Sequence, residues 1–135
     1  MPFVLDASVA ASWMLPDEQS TEALRARARL ASEGGLVPPH WWYEIRNTML
    51  MAERRSRLPM ELVQTTLLQL AKLPIEITDQ RDEDAIFATA RRHRLTFYDA
   101  AYVALAQHEQ LSLATLDRAL AQAAVAEGVS LVIPS

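Results

Sequence analysis

The sequence predicts an α/β fold, a three-layer α/β/α sandwich around a central parallel sheet of four to five strands. Three observations carry that expectation. Short apolar runs alternate with longer stretches of helical periodicity along all 135 residues. Half of the residues are hydrophobic and 22% are charged, which is a globular composition. No repeat, low-complexity tract or linker breaks the alternation, so residues 1–135 read as a single domain. Right-handed crossovers in such a fold bring the C-terminal ends of the strands to one edge, where ligands bind.

The elements follow in order. Phe3-Val4-Leu5 is a short β-like run. Val9 to Met14 makes a brief helix that Pro16 interrupts. Thr21 to Ala31 is helical, with Leu24, Ala28 and Ala31 at helical spacing, and Gly34-Gly35 ends it. Leu36-Val37 is a second strand, closed by Pro38-Pro39. Trp41 to Arg55 is a strong helix with Trp41, Ile45, Thr48 and Ala52 along one face. Pro59 sits at the start of the next helix, as its fixed φ allows; Met60, Val63, Leu67 and Leu70 form its stripe. Pro74 stops that helix before a third strand, Ile75-Glu76-Ile77. Asp82 to His93 is helical, with acids in its first turn and bases in its last, as the helix dipole favours. Tyr98 to Gln107 is an Ala-rich helix, apolar nearly all round and therefore buried. Leu113-Ala114-Thr115 is a fourth strand, Asp117 to Ala126 a helix ended by Gly128, and Val129 to Ile133 a final strand.

Bulk properties narrow the function. Without cysteine there is no disulfide framework and no thiolate chemistry. The start, Met1-Pro2-Phe3-Val4-Leu5-Asp6, has no basic stretch, and its apolar run stops at Asp6. No apolar run approaches the roughly 18 residues that span a bilayer, so a soluble cytoplasmic protein with no membrane partner is expected. The net charge of −4 argues by itself against a nucleic-acid binder. The basic residues are uneven, however: of 13, only Lys72 is a lysine. Arginines cluster at Arg25, Arg27 and Arg29, at Arg54, Arg55 and Arg57, and at Arg91, Arg92 and Arg94. Their forked guanidiniums grip phosphates at two points; the same clusters also suit solvated helix faces.

Four acids stand out. Asp6 ends the first strand in Leu5-Asp6-Ala7-Ser8, where an N-cap is the simplest role. Glu44 sits among large apolar groups in Trp41-Trp42-Tyr43-Glu44-Ile45; an acid buried there needs a partner or an ion. Asp99, in Thr96-Phe97-Tyr98-Asp99, has the spacing of a capping box but leads a buried helix. Asp117 lies just past the fourth strand, again at a capping position. Each acid alone is explained by the fold. Jointly, they fall where one sheet edge can gather them, and a pair about 5 Å apart repels by roughly 3 kcal/mol at an effective dielectric of about 20. A cation relieves such repulsion, and all-oxygen ligands favour Mg²⁺ or Mn²⁺ over zinc. His40, His93 and His108 are too scattered for a zinc site.

With these residues in view, the chain resembles the PIN-domain nucleases, specifically the VapC-type toxins of bacterial toxin–antitoxin pairs. The matching pieces are Val4-Leu5-Asp6-Ala7-Ser8, Glu44 in the aromatic-led helix, Thr96-Phe97-Tyr98-Asp99-Ala100-Ala101-Tyr102, and Leu113-Ala114-Thr115-Leu116-Asp117. The resemblance spans the whole chain, and the sequence departs from the family at none of the four acids. It implies a PIN-like parallel sheet and Asp6, Glu44, Asp99 and Asp117 as catalytic acids. Asp6 and Asp99 would be the direct Mg²⁺ ligands, with Mn²⁺ as a substitute, and Glu44 and Asp117 secondary or water-mediated. Ser8 and Thr115 match polar positions beside the site. The implied activity is endonucleolytic cleavage of RNA by a metal-activated water, leaving a 5′-phosphate and a 3′-hydroxyl. The implied partners are the RNA substrate, an inhibitory cognate antitoxin and a second copy of the chain. Arg94 and Arg118 are candidates for holding flanking phosphates. An antitoxin helix would find a groove on the apolar surface of the helices carrying Met49-Leu50-Met51-Ala52 and Met60, Val63, Leu67 and Leu70; ordinary packing between those helices explains the same residues.

Three rivals differ in their chemistry. An aspartyl-phosphate enzyme or receiver domain wants a late lysine, and the phosphatase pattern a second Asp where Ser8 stands. A non-catalytic RNA- or partner-binding scaffold would be expected to have lost an acid. A housekeeping RNA-processing nuclease of the same fold would more often carry an appended domain.

Overall fold

The computed structural model describes residues 1–134. Strand β1 (Phe3–Leu5) leads into α1 (Ala7–Met14), a 3₁₀ turn at Pro16–Glu18 and α2 (Thr21–Glu33). Strand β2 (Gly35–Val37) is followed by α3 (His40–Arg54) and α4 (Met60–Ala71), and β3 (Ile75–Ile77) by α5 (Glu83–His93) and α6 (Phe97–Glu109). Strand β4 (Leu113–Ala114) precedes α7 (Arg118–Ala126). The four strands are parallel, in the order β3-β2-β1-β4.

The chain therefore steps outward from β1 to β2 and β3, then returns to the far side of β1. With right-handed crossovers this reversal places α1–α4 on one face and α5–α6 on the other. The packing agrees: α1 lies against α2 and α3, whereas α5 and α7 lie against α6, which covers β1 and β4. The switch in direction opens a crevice beyond the ends of β1 and β4, where such sheets bind ligands.

Burial explains the pattern of the runs. Phe3, Val4 and Leu5 are completely buried because β1 is covered on both sides. Seven successive residues of α6, Ala100 to Ala106, are buried, and its alanines let the helix approach the strands. Gly34 ends α2 at φ +84°, and a Cβ on Gly35 would lie 2.5 Å from Leu30 Cδ1.

Four sequence expectations need correction. In α2 the buried residues are Ala23, Ala26 and Leu30, while Leu24, Ala28 and Ala31 are exposed. The face is turned because α1 packs closely here, with Trp13 Nε1 donating to the Ala23 carbonyl at 2.7 Å. In α3 the buried face runs through Trp41, Ile45, Met49 and Ala52, with Met49 in place of Thr48; Thr48 is only half-buried and satisfies its hydroxyl locally on the Glu44 carbonyl at 2.9 Å. Residues 129–133 form no strand but one parallel bridge, Leu131 to Leu113, because β4 offers only two residues to pair with. Thr115 lies outside β4. The apolar surface of α3 and α4 divides: Met49, Ala52 and Leu70 join the core, while Leu50, Met60, Leu62 and Leu68 are exposed. Among the described residues no helix is long and apolar enough to cross a membrane.

Candidate active site

Asp6 is the first residue past β1 and is only 5% exposed. It occupies the N-cap position of α1 but makes no side-chain capping bond. Its Oδ2 instead accepts two hydrogen bonds, from Ser8 Oγ and Thr115 Oγ1, both at 2.7 Å. The two hydroxyls accept in turn, Ser8 Oγ from the Leu116 N–H and Thr115 Oγ1 from the Asp117 N–H, each at 3.0 Å. This stitches the loop after β1 to the loop after β4. Burial raises the Asp6 pKa, the two hydroxyls oppose the rise, and the charge of Glu44 adds to it. Among the described residues no cation pairs with Asp6.

Glu44 lies in the second turn of α3, where its Oε1 accepts from Tyr102 Oη at 2.6 Å. Tyr102 is fully buried and follows Asp99 by three positions, so one face of α6 presents both. Burial raises the Glu44 carboxyl, the Tyr102 hydrogen bond opposes it, and the charge of Asp99 raises it further. The same burial, with Glu44 as acceptor, pushes the Tyr102 phenol far up. His40 Nε2 is 3.3 Å from Glu44 Oε1, yet that buried nitrogen makes no hydrogen bond. The His40 ring lies 5.4 Å from Tyr98 and 5.0 Å from Tyr102. Burial lowers its pKa, against a backbone hydrogen bond at Tyr98 and the charges of Asp99 and Asp6.

Asp99 stands in the first turn of α6, half-buried, with its N–H donating to the capping Thr96 Oγ1 at 3.1 Å. Burial raises its pKa first, then the charges of Asp6 and Asp117. Asp117 is exposed and does cap its helix, Oδ1 accepting from the Leu120 N–H at 3.1 Å.

The structure thus brings all four acids into one neighbourhood, where Asp6 feels Glu44, Glu44 feels Asp99, and Asp99 feels Asp6 and Asp117. It does not close them into a cage: among the described residues no three ligand-type side chains converge tightly enough to enclose an ion. The carboxylates of Asp6, Glu44 and Asp117 are each held by a hydroxyl or amide partner. The donors nevertheless fit a hard divalent cation, since they are all oxygens and the buried Asp6 charge has no cation of its own. Arg118 is exposed and lines a small groove beside Thr115, Leu116 and Asp117. Arg94 is exposed at the left-handed C-cap of α5.

Sequence reasoning passed over His40 and Tyr102. The available signal was spacing: His40 precedes Glu44 by one helical turn, and Tyr102 follows Asp99 by nearly one.

A parallel sheet with a reversal at β1 and acids clustered beyond its end define a PIN-type protein. The chain belongs to the PIN-domain family, whose model matches residues 3–126. It is 36% identical over 126 residues to "Ribonuclease VapC3" of Pyrobaculum aerophilum, across 90% of this chain and 94% of that protein. Among solved structures it resembles PAE2754 from Pyrobaculum aerophilum, with TM-score 0.75 and 22% identity, covering 98% of this chain and 90% of that one. It also resembles a toxin–antitoxin complex from Klebsiella pneumoniae, with TM-score 0.59 and 19% identity over 85% of this chain and 86% of that one. A third likeness is to FitAcB from Neisseria gonorrhoeae, with TM-score 0.56 and 19% identity over 96% and 95% of the two chains.

Proposed function

We propose that this chain is a Mg²⁺-dependent endoribonuclease of the VapC toxin type, working in the cytoplasm and held inactive by a cognate antitoxin. The observation that carries the reading is Asp6: a buried carboxylate, oriented by two hydroxyls, left without a cation, and within reach of the charges of Glu44 and Asp99. Its relative named as a ribonuclease and the structural likeness to a toxin–antitoxin complex support the same reading.

Asp6 and Asp99 would hold the ion directly, Mn²⁺ substituting for Mg²⁺, with Glu44 and Asp117 ligating through water or in a secondary role. When bound, the ion supplies charge neutralisation at the scissile phosphate and lowers the pKa of a water. The chain's own residues do the rest. Ser8 and Thr115 both donate to Oδ2 of Asp6, which leaves Oδ1 clear of side-chain donors. Tyr102 pins Oε1 of Glu44 and leaves Oε2 open. Glu44, with Oε2 open, would be placed to accept a proton from the attacking water. No cysteine is available as a nucleophile, and Ser8 Oγ is committed to Asp6.

The exposed apolar residues of α3 and α4, among them Trp42, Leu50, Met60 and Leu68, support docking of an amphipathic antitoxin helix and pairing with a second copy of the chain. The test of the activity is direct. Purified chain should cleave RNA in Mg²⁺ and stop on chelation, and Asp99→Asn should lose at least about 100-fold in rate with an unchanged circular dichroism spectrum. Asp99→Asn cutting at the normal rate would sink the site assignment.

A further inference from the structure

Two adjoining grooves border the site. Beyond Asp117, the residues Thr115, Leu116 and Arg118 line a groove of about 180 Å³ that reaches Ile133 and Pro134. Leu116, Ile133 and Pro134 also line a second groove of about 570 Å³, whose other wall is α2 with Ser20, Arg25 and Arg29. The shared residues set the two grooves side by side between Asp117 and the α2 arginines.

Ion pairing sorts the arginines. Arg57 is tied to Asp17 and Glu18 at 2.9 and 3.0 Å, and Arg92 to Glu127 at 2.6 Å. Arg29 is held by Glu33 at 2.8 Å and lies 5.2 Å from the centre of the Phe3 ring. Arg25 and Arg118 form no ion pair among the described residues, and both are exposed. Against Arg25 and Arg29 the larger groove sets one acid, Glu22, and its opposite wall of Leu116, Val132, Ile133 and Pro134 is apolar. Adjoining grooves that start at the acid cluster, carry the free guanidiniums of Arg118 and Arg25, and present the apolar surface of Leu116, Val132, Ile133 and Pro134 suit an extended polyanion.

We propose that these adjoining grooves hold the single-stranded RNA flanking the scissile bond, with Arg118 and Arg25 each gripping a backbone phosphate. The proposal rests on the ribonuclease reading above and adds the route of the strand. Among the described residues no aromatic ring or amide side chain lines the grooves, so they bind the backbone and contribute affinity without base preference.

The test is fluorescence anisotropy with a labelled oligouridine of about 12 nucleotides, binding to the full chain carrying Asp99→Asn in Mg²⁺. Arg25→Ala is compared with Arg27→Ala, which removes the same charge from the same helix but lies outside the groove. Arg25→Ala should weaken binding about 5- to 10-fold and flatten the salt dependence by roughly 0.7 in slope, the value of one single-strand phosphate contact. Arg27→Ala should change affinity by less than about twofold. An oligoadenosine should show the same losses. No loss in Arg25→Ala, or equal losses in both variants, would overturn the groove assignment. The outcomes also separate the two readings: a wild-type chain that cuts RNA while Arg25→Ala binds normally removes the groove assignment alone. A wild-type chain that neither cuts nor binds RNA removes both.

Discussion

Two carboxylate neighbourhoods in this chain are built on opposite terms. Glu127, just past α7, is met from α5 and α6 together. His93 Nε2 and Arg92 Nη1 each lie 2.6 Å from its Oε2, and Gln107 Nε2 donates to Oε1 at 3.2 Å. The His93 hydrogen bond, with Arg92 next, holds this carboxyl down to about 2. Asp6 receives neutral donors, the Ser8 and Thr115 hydroxyls foremost, and burial drives its carboxyl the other way. A carboxylate that serves the fold is given its cation by the chain itself. Asp6 is oriented but given no cation among the described residues, the arrangement the proposed metal site calls for, in which an ion from outside would relieve the cluster.

Metal should break the symmetry between the two most strongly. Mg²⁺ at about 100 times its dissociation constant should stabilise the wild-type chain by about 2.7 kcal/mol, read as a rise in melting temperature. Asp6→Asn should abolish that rise, while Glu127→Gln should keep it. An equal rise in Asp6→Asn would remove Asp6 from the metal site.

A smaller effect tests how the active-site acids are held. Tyr102→Phe removes the side-chain hydrogen bond that Glu44 accepts and should cost about 1–3 kcal/mol in urea unfolding. An unchanged midpoint would show that Glu44 turns to solvent without loss, so that Tyr102 does not fix it.

The smallest effect concerns the clasp and is read through pH. Glu127 has a folded-state pKa near 2, depressed from the ordinary 4.5, so its contribution is fully present above the ordinary value. It is lost as pH falls from about 4.5 towards 2. Glu127→Gln should therefore melt below wild type at neutral pH, with the gap closing as pH approaches 2. A gap that persists into acid would mean the side chain acts by packing rather than by charge.

Much of the architecture was legible in the chain. Strands and helices alternate as read, because apolar periodicity and the Gly and Pro breaks act over a few residues. The face of α2 was not legible: Ala and Leu both count as apolar, and the proximity of α1 decides which of them is covered. Residues 129–133 have strand-like composition, but a strand also needs an edge, and β4 supplies almost none. At the site, the positions of the acids were visible as charges in apolar surroundings. Whether each was a cap or something else was not, because an N-cap and a ligand look alike in one dimension: Asp117 caps its helix and Asp6 does not.

By itself the sequence determined the order of elements and set an acid at the ends of β1 and β4 and at the head of α6, since these depend on neighbours a few positions away. Only the tertiary structure decided which donor meets which carboxylate. Thr115 reaches Asp6 across 109 residues and Tyr102 reaches Glu44 across 58. Contacts of that separation exist only once β1, β4, α3 and α6 have packed, because hydrogen bonds of this kind are too weak to hold distant segments together before the apolar core does.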